Sequence, residues 1–165
     1  VCSSDLALDT YASEAAKLGA VWRCFDDADL AWRPDAKSRP VEEILKHQLL
    51  SERRFFAEFL GVPELPAAEV LPAPGSASAY RDRMNAAVPG RLQYLAAQPA
   101  AWWLEEVRFF DTTRQRAWIL WRRILHTAHH RTQLTGYLRQ MGRAVPAIYG
   151  PSADRKSTRL NSSHT

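Results

Sequence analysis

The chain has 165 residues, 46% hydrophobic and 24% charged, with 22 Lys and Arg against 18 Asp and Glu for a formal net charge of +4. That length supports one domain with a real core. Charges interrupt every apolar stretch before the ~20 residues a bilayer span needs, which excludes a membrane-spanning helix, and the modest charge makes nucleic acid a weak candidate partner.

The opening VCSSDL and the closing DRKSTRLNSSHT stand apart from the rest. DRKS can be coded GAT-CGG-AAG-AGC, and the reverse complement of that oligonucleotide in another frame gives CSSD. TRLNSSH fits the continuation of a common sequencing-library adapter. We therefore expect residues 1–6 and 154–165 to be translated adapter, against the competing reading of a polar start and a disordered Ser-rich tail. The native domain is then expected over residues 7–153. Without Asp5, Asp154, Arg155, Lys156 and Arg159 the net charge falls from +4 to +3, and Cys24 becomes the single cysteine. One cysteine makes no intrachain disulfide and suits a reducing cytoplasm. Cys24 is expected to be a small buried residue rather than a nucleophile.

Residues 8–27 read as a first helix, with Tyr11, Ala15, Leu18, Val21, Trp22 and Phe25 at helical spacing. LAWRPDAKSRP breaks that pattern, and Pro40 suits the first turn of a second helix over about 40–60. GVPELPAAEVLPAPGS is a Pro-rich connection to a third helix, about 77–97, which Pro89-Gly90 is expected to kink or break. Residues 99–113 form an aromatic connection with no convincing strand. Thr112 or Thr113 is placed to cap a long fourth helix that Gly142 stops near Met141. Four helices without strands or repeats predict an all-α four-helix bundle, and the long connections after the second and third helices allow an order other than simple up-and-down.

No Gly-rich phosphate loop, Cys pair or nucleophile elbow is present. That leaves the histidines of HTAHHRTQLTGYLRQMG, residues 126–142. At about 100° per residue, with His130 at zero, His126 falls at about −40° and His129 at about −100°. Ile119, Arg123, Leu134, Tyr137 and Met141 lie within about 40° of His130. His126 and His130 therefore share the apolar face and can chelate one cation, while His129 points aside. Spacing alone leaves two readings: core or boundary histidines each satisfied by one hydrogen bond, which is the commoner case, or metal ligands. His47 lies mostly opposite the main apolar set of the second helix, so periodicity permits it in the bundle without requiring it to face inward.

The run from His126 to Gly142 resembles the C-terminal signature of the DinB/YfiT-like family of bacterial metalloproteins. In that family the last helix carries His-x3-His, then Arg-x-Gln and a Tyr-Leu-Arg-x-x-Gly end. PVEEILKHQLLSERRFF resembles the family's second-helix motif, in which a histidine precedes Ser-Glu by four and five residues. The resemblance covers essentially residues 8–153. It implies a four-helix bundle holding a divalent metal, often zinc or nickel, on His47, His126 and His130.

Three neutral imidazoles would leave an ion its full charge and an open position, the pattern of catalytic rather than structural zinc. Availability rather than affinity would decide which metal loads. The resemblance further implies a metal-dependent enzyme, because characterised relatives use low-molecular-weight thiols for S-transfer and others are assigned as hydrolases. S-transfer ranks first, with a small-molecule substrate and a thiol cosubstrate. Relatives are commonly homodimeric. A non-catalytic, stress-associated bundle that binds metal or a partner is the alternative. Nucleic acid ranks last, since the seven arginines between 114 and 143 are scattered around the helix.

Around such a site several residues have two readings each. Arg123 is a candidate for a cationic pocket or an arginine snorkelling from the bundle end. Gln133 either bonds a bound molecule or a metal-bound water, or forms a solvated edge. Arg131 is expected to bond another helix or the tail, Ser51 to orient His47, and Glu52 to pair with an arginine of the last helix. Trp102, Trp103, Phe109 and Phe110 either roof the pocket or serve the core or a dimer interface.

Overall fold

Four long helices form among the described residues: α1 (Ser3–Trp22), α2 (Val41–Arg54), α3 (Ala77–Ala96) and, after the short α4 (Ala100–Leu104) and strands β1 (Glu106–Phe109) and β2 (Thr112–Gln115), α5 (Arg116–Gln140). The computed structural model describes residues 3–150, with side chains from residue 5. Residues 3–6 belong to the first turns of α1, whereas the closing stretch 154–165 lies outside the described residues. No helix among the described residues is long and apolar enough to cross a membrane.

The all-α expectation holds. In the bundle α1 packs on α3 and α5, and α2 packs on the same two helices, so α1 and α2 stand diagonally. One apolar cluster joins the end of α1 (Leu18, Val21, Trp22) to the start of α2 (Val41, Ile44, Leu45), the start of α3 (Tyr80, Met84) and the end of α5 (Leu134, Leu138). A second cluster joins the opposite ends through Tyr11, Phe56, Leu95, Trp103, Leu120 and Ile124. Helices α1 and α5 therefore run one way and α2 and α3 the other. The Pro-rich connection after α2 makes this order possible by carrying the chain back along the bundle. At Gly19 of α1 a Cβ would stand 3.1 Å from Asn85 Oδ1, so glycine permits the close approach of α3.

Several local expectations need correction. Helix α1 ends at Trp22, ahead of a turn and a short 3-10 segment at Asp27–Asp29. Pro40 occupies the N-cap of α2, whose first free amides are met by the preceding loop: Val41 N–H donates to Trp32 O and Glu42 N–H to Leu30 O. After Arg54 the helix widens into a π turn, Phe55–Phe59. Pro89 does not break α3. Residues 85, 89 and 90 are all exposed, so water can take the Asn85 carbonyl that proline leaves without a helical donor.

The aromatic connection is a hairpin rather than an irregular loop. Val107 pairs with Arg114, Arg108 with Thr113 and Phe109 with Thr112. The threonines expected to cap the last helix lie in β2, and Gln115 takes the N-cap of α5. Two β-branched residues opposite an alternating Val-Arg-Phe run favour pairing over capping.

Candidate metal centre

His47 stands midway along α2, and His126 and His130 are one turn apart on α5. Because these helices pack against each other, the three rings meet. Ring centroids lie 5.3 Å apart for His47–His126, 4.7 Å for His47–His130 and 4.6 Å for His126–His130. One nitrogen from each residue falls within 4.8 Å of the other two. The exposed His129 is not part of this group.

Two features of the donor set fit a divalent ion. His47 Nε2 and His126 Nε2 are 3.4 Å apart. Two nitrogens each about 2.0–2.1 Å from one tetrahedral ion would be separated by about 3.3 Å. The rings are also held neutral, with lone pairs available. Burial pushes His126 down to about 3, helped by the Arg123 guanidinium and the two neighbouring imidazoles. Burial likewise lowers His130 to about 4, against the opposing effect of a hydrogen bond accepted by Gln133 Oε1. His47 is lowered by burial and by Arg39 and Arg123.

Gln133 Oε1 lies 3.0 Å from His130 Nδ1. If Nδ1 donates there, Nε2 is left as the free donor atom of the ring. Gln133 is thus engaged by a histidine of the cluster, which neither of its two readings anticipated. Among the described residues His126 has no such orienter: its buried Nδ1 meets no hydrogen-bond partner there, and the near-parallel Phe55 ring lies 6.5 Å away between centroids.

Arg123 follows neither of its two expectations. It is fully buried. Its Nη1 donates to Ser51 Oγ (2.6 Å), its Nε and Nη2 reach Thr127 Oγ1, and its Nε lies 3.1 Å from Glu52 Oε1. Ser51 is thus engaged by Arg123 instead of orienting His47. Glu52 does pair with an arginine of the last helix, and also with Arg91 of α3 at 2.6 Å and Tyr11 Oη of α1 at 3.2 Å. Arg131 bonds both a helix and the tail, through Glu14 of α1 and Tyr149 Oη. Half-buried Cys24 donates to Ala20 O, and burial raises its thiol pKa, which makes it a poor nucleophile.

A cleft of about 530 Å³ opens on His47 and His126. The four aromatics divide around it. Phe109 and Phe110 line it together with Phe55 and Leu50, whereas Trp103 is buried in the second apolar cluster and Trp102 packs against it, under Arg116. Arg54 and Arg122, which the sequence reading did not single out, also line it. Their signal was helical angle: Arg54 stands about 20° from His47 on α2, and Arg122 about 40° from His126 on α5. A second cleft of about 480 Å³, between α2, residues 63–70 and α3, contains none of the three histidines.

The model of the DinB family matches residues 4–160. An uncharacterised protein of Bacillus subtilis (strain 168), YrdA, is 35% identical over 88 residues, 53% of each chain, so the aligned region spans about half the length of that curated relative. A DinB-like protein from Bacillus cereus ATCC 10987 has a similar structure, with a TM-score of 0.76 at 19% identity over 87% of this chain and 95% of that one. A second, YjoA of Bacillus subtilis, gives a TM-score of 0.66 at 16% identity over 87% and 96%. At those identities the likeness is one of fold.

Proposed function

The chain belongs to the DinB family, and on that footing we propose that His47, His126 and His130 hold one divalent metal ion, zinc or nickel, in a metal-dependent enzyme. The observation that carries this reading is the meeting of three neutral imidazoles from two helices, with donor atoms within 4.8 Å. A divalent ion there would supply Lewis acidity towards a thiol or a water molecule. The protein's own contribution is to keep the three rings unprotonated, to orient His130 through Gln133, and to present an aromatic cleft on one side.

Thiol-dependent S-transfer is the first reaction class and hydrolysis the second. Transfer needs little beyond the metal and a cationic pocket, and the carboxylate of the second-helix motif, Glu52, is engaged by Arg91, Arg123, Thr127 and Tyr11. That same engagement favours the second reading, a stress-associated bundle that binds metal or a partner without turnover. We also propose a two-fold homodimer, supported by Trp118, Trp121 and Leu125, which are 43%, 38% and 63% exposed on one face of α5. The native domain is proposed to span residues 7–153, in a reducing cytoplasm.

Elemental mass spectrometry on the purified chain and on His130→Ala tests the centre. The expected result is about one zinc or nickel per chain, lost in the variant while its helical circular dichroism persists. No metal in the parent after reloading would leave the histidines structural. Metal without turnover of any thiol–electrophile pair or ester would select the non-catalytic reading.

A further inference from the structure

The cleft on His47 and His126 combines apolar walls with cationic groups. Leu50, Phe55, Phe109 and Phe110 give it its walls, Arg54 and Arg122 carry its formal charge, and no carboxylate lines it among the described residues. Arg54 is bound to Glu58, Nε to Oε2 at 3.1 Å, and lies over the Phe110 ring at 4.8 Å. Arg122 is exposed and makes no ion pair with any described residue. The cation that sequence reasoning offered for an acidic ligand, Arg123, is locked in the core, so Arg122 takes that place.

Phe110 adds an independent observation. It sits at the hairpin tip with φ +54°, the one non-glycine residue with positive φ among those described, and the residue is 46% exposed. Glycine or asparagine would hold this turn with less strain. Phenylalanine instead places a ring 4.7 Å from Phe109 and 5.1 Å from Phe59 between centroids, beside the cleft. A strained position that exposes an aromatic ring beside a cleft points to function.

We infer that this cleft binds a small organic anion with a flat apolar body, an aryl carboxylate being the simplest example. The body lies against Phe55, Phe109 and Phe110, the anionic group meets Arg122 with Arg54 as the second cation, and Phe110 limits the size of body accepted. This deepens the reading of the metal centre and rests on it for the reactive group the anion would meet, but not for the binding itself.

Ligand-observed NMR titrations of benzoate, benzyl alcohol and acetate, on chelator-treated and zinc-loaded protein, test the inference. Benzoate is expected to bind the metal-free protein about tenfold tighter than either benzyl alcohol or acetate. Arg122→Gln is expected to weaken benzoate about tenfold and benzyl alcohol by less than about twofold, with partial recovery in Arg122→Lys. Phe110→Gly relieves the backbone strain, so the hairpin is retained, and both aromatic ligands weaken together by about fivefold. Equal affinity for benzoate and benzyl alcohol, equal affinity for benzoate and acetate, or benzoate binding indifferent to Arg122→Gln would each overturn it. So would benzoate binding that requires zinc. Failure of zinc to bind, with the benzoate pattern intact, would overturn the metal reading alone.

Discussion

Gln133 shows how one side chain prepares another. Its Oε1 faces His130 Nδ1 at 3.0 Å, its Nε2 donates to Tyr137 Oη at 3.4 Å, and Tyr137 Oη donates to Arg39 O at 3.0 Å. The imidazole is thereby tied to the loop before α2, the helix that carries His47. Groups that orient a ligand in this way typically contribute tenfold or more to metal affinity. Gln133→Leu should weaken zinc binding by about tenfold in competition with a chromophoric chelator. Half-buried Gln133 lies outside both apolar clusters, so the thermal midpoint of the metal-free protein should stay nearly unchanged. An unaltered zinc affinity would mean that packing alone fixes the ring. The helical angle put Gln133 near the histidines but did not point to a bond with His130 itself, because the bonded atom belongs to a side-chain rotamer.

The end of α5 was readable in advance and its beginning was not. Gly142 adopts φ +71°, its N–H donates to Arg139 O at 3.0 Å, and Arg143 N–H donates to Leu138 O at 2.8 Å. These paired bonds close the last turn, and an L side chain is strained at the glycine. Gly142→Ala should therefore cost about 1–2 kcal/mol and lower the thermal midpoint by several degrees, with zinc stoichiometry preserved. A variant as stable as the parent would show that the terminal turn is frayed in solution. At the other end, Thr112 and Thr113 have sound capping chemistry, but pairing with Arg108 and Phe109 competes successfully for them. Pro89 likewise interrupts one backbone bond without interrupting α3, since it lies on an exposed face.

Across the whole molecule, Glu52 is the point where the bundle is joined. A carboxylate of α2 accepts hydrogen bonds from Tyr11 of α1, Arg91 of α3 and Thr127 of α5, and pairs with Arg123 of α5, so every long helix has a group on it. Arg91 also grips Glu64, with Nε–Oε1 at 2.5 Å and Nη2–Oε2 at 2.9 Å, which balances two guanidinium groups with two carboxylates. Glu52 lies in sequence between Leu49 of one apolar cluster and Phe55 of the other. Removing one member of a buried ion pair leaves the rest desolvated and uncompensated. Glu52→Gln should cost about 3–5 kcal/mol in urea unfolding, far more than the surface pair variant Glu58→Gln, for which less than about 1 kcal/mol is expected. Similar losses for both would mean that water reaches the network.

The amino-acid pattern was enough for the periodic and local features: four long helices, the glycine stop of α5, the pairing of His126 with His130 and the exclusion of His129. Those follow from angles and dihedral preferences within one element. The resemblance of two motifs supplied His47, whose inward direction periodicity left open. It took the packing of the helices to show that Arg123 serves the core and not the cleft, that Glu52 joins four helices, and that Phe110, Arg54 and Arg122 meet beside the histidines. The reason is physical: helical spacing records which way a residue faces on its own axis, whereas burial of a charge and the choice of its partner depend on which other helices close around it.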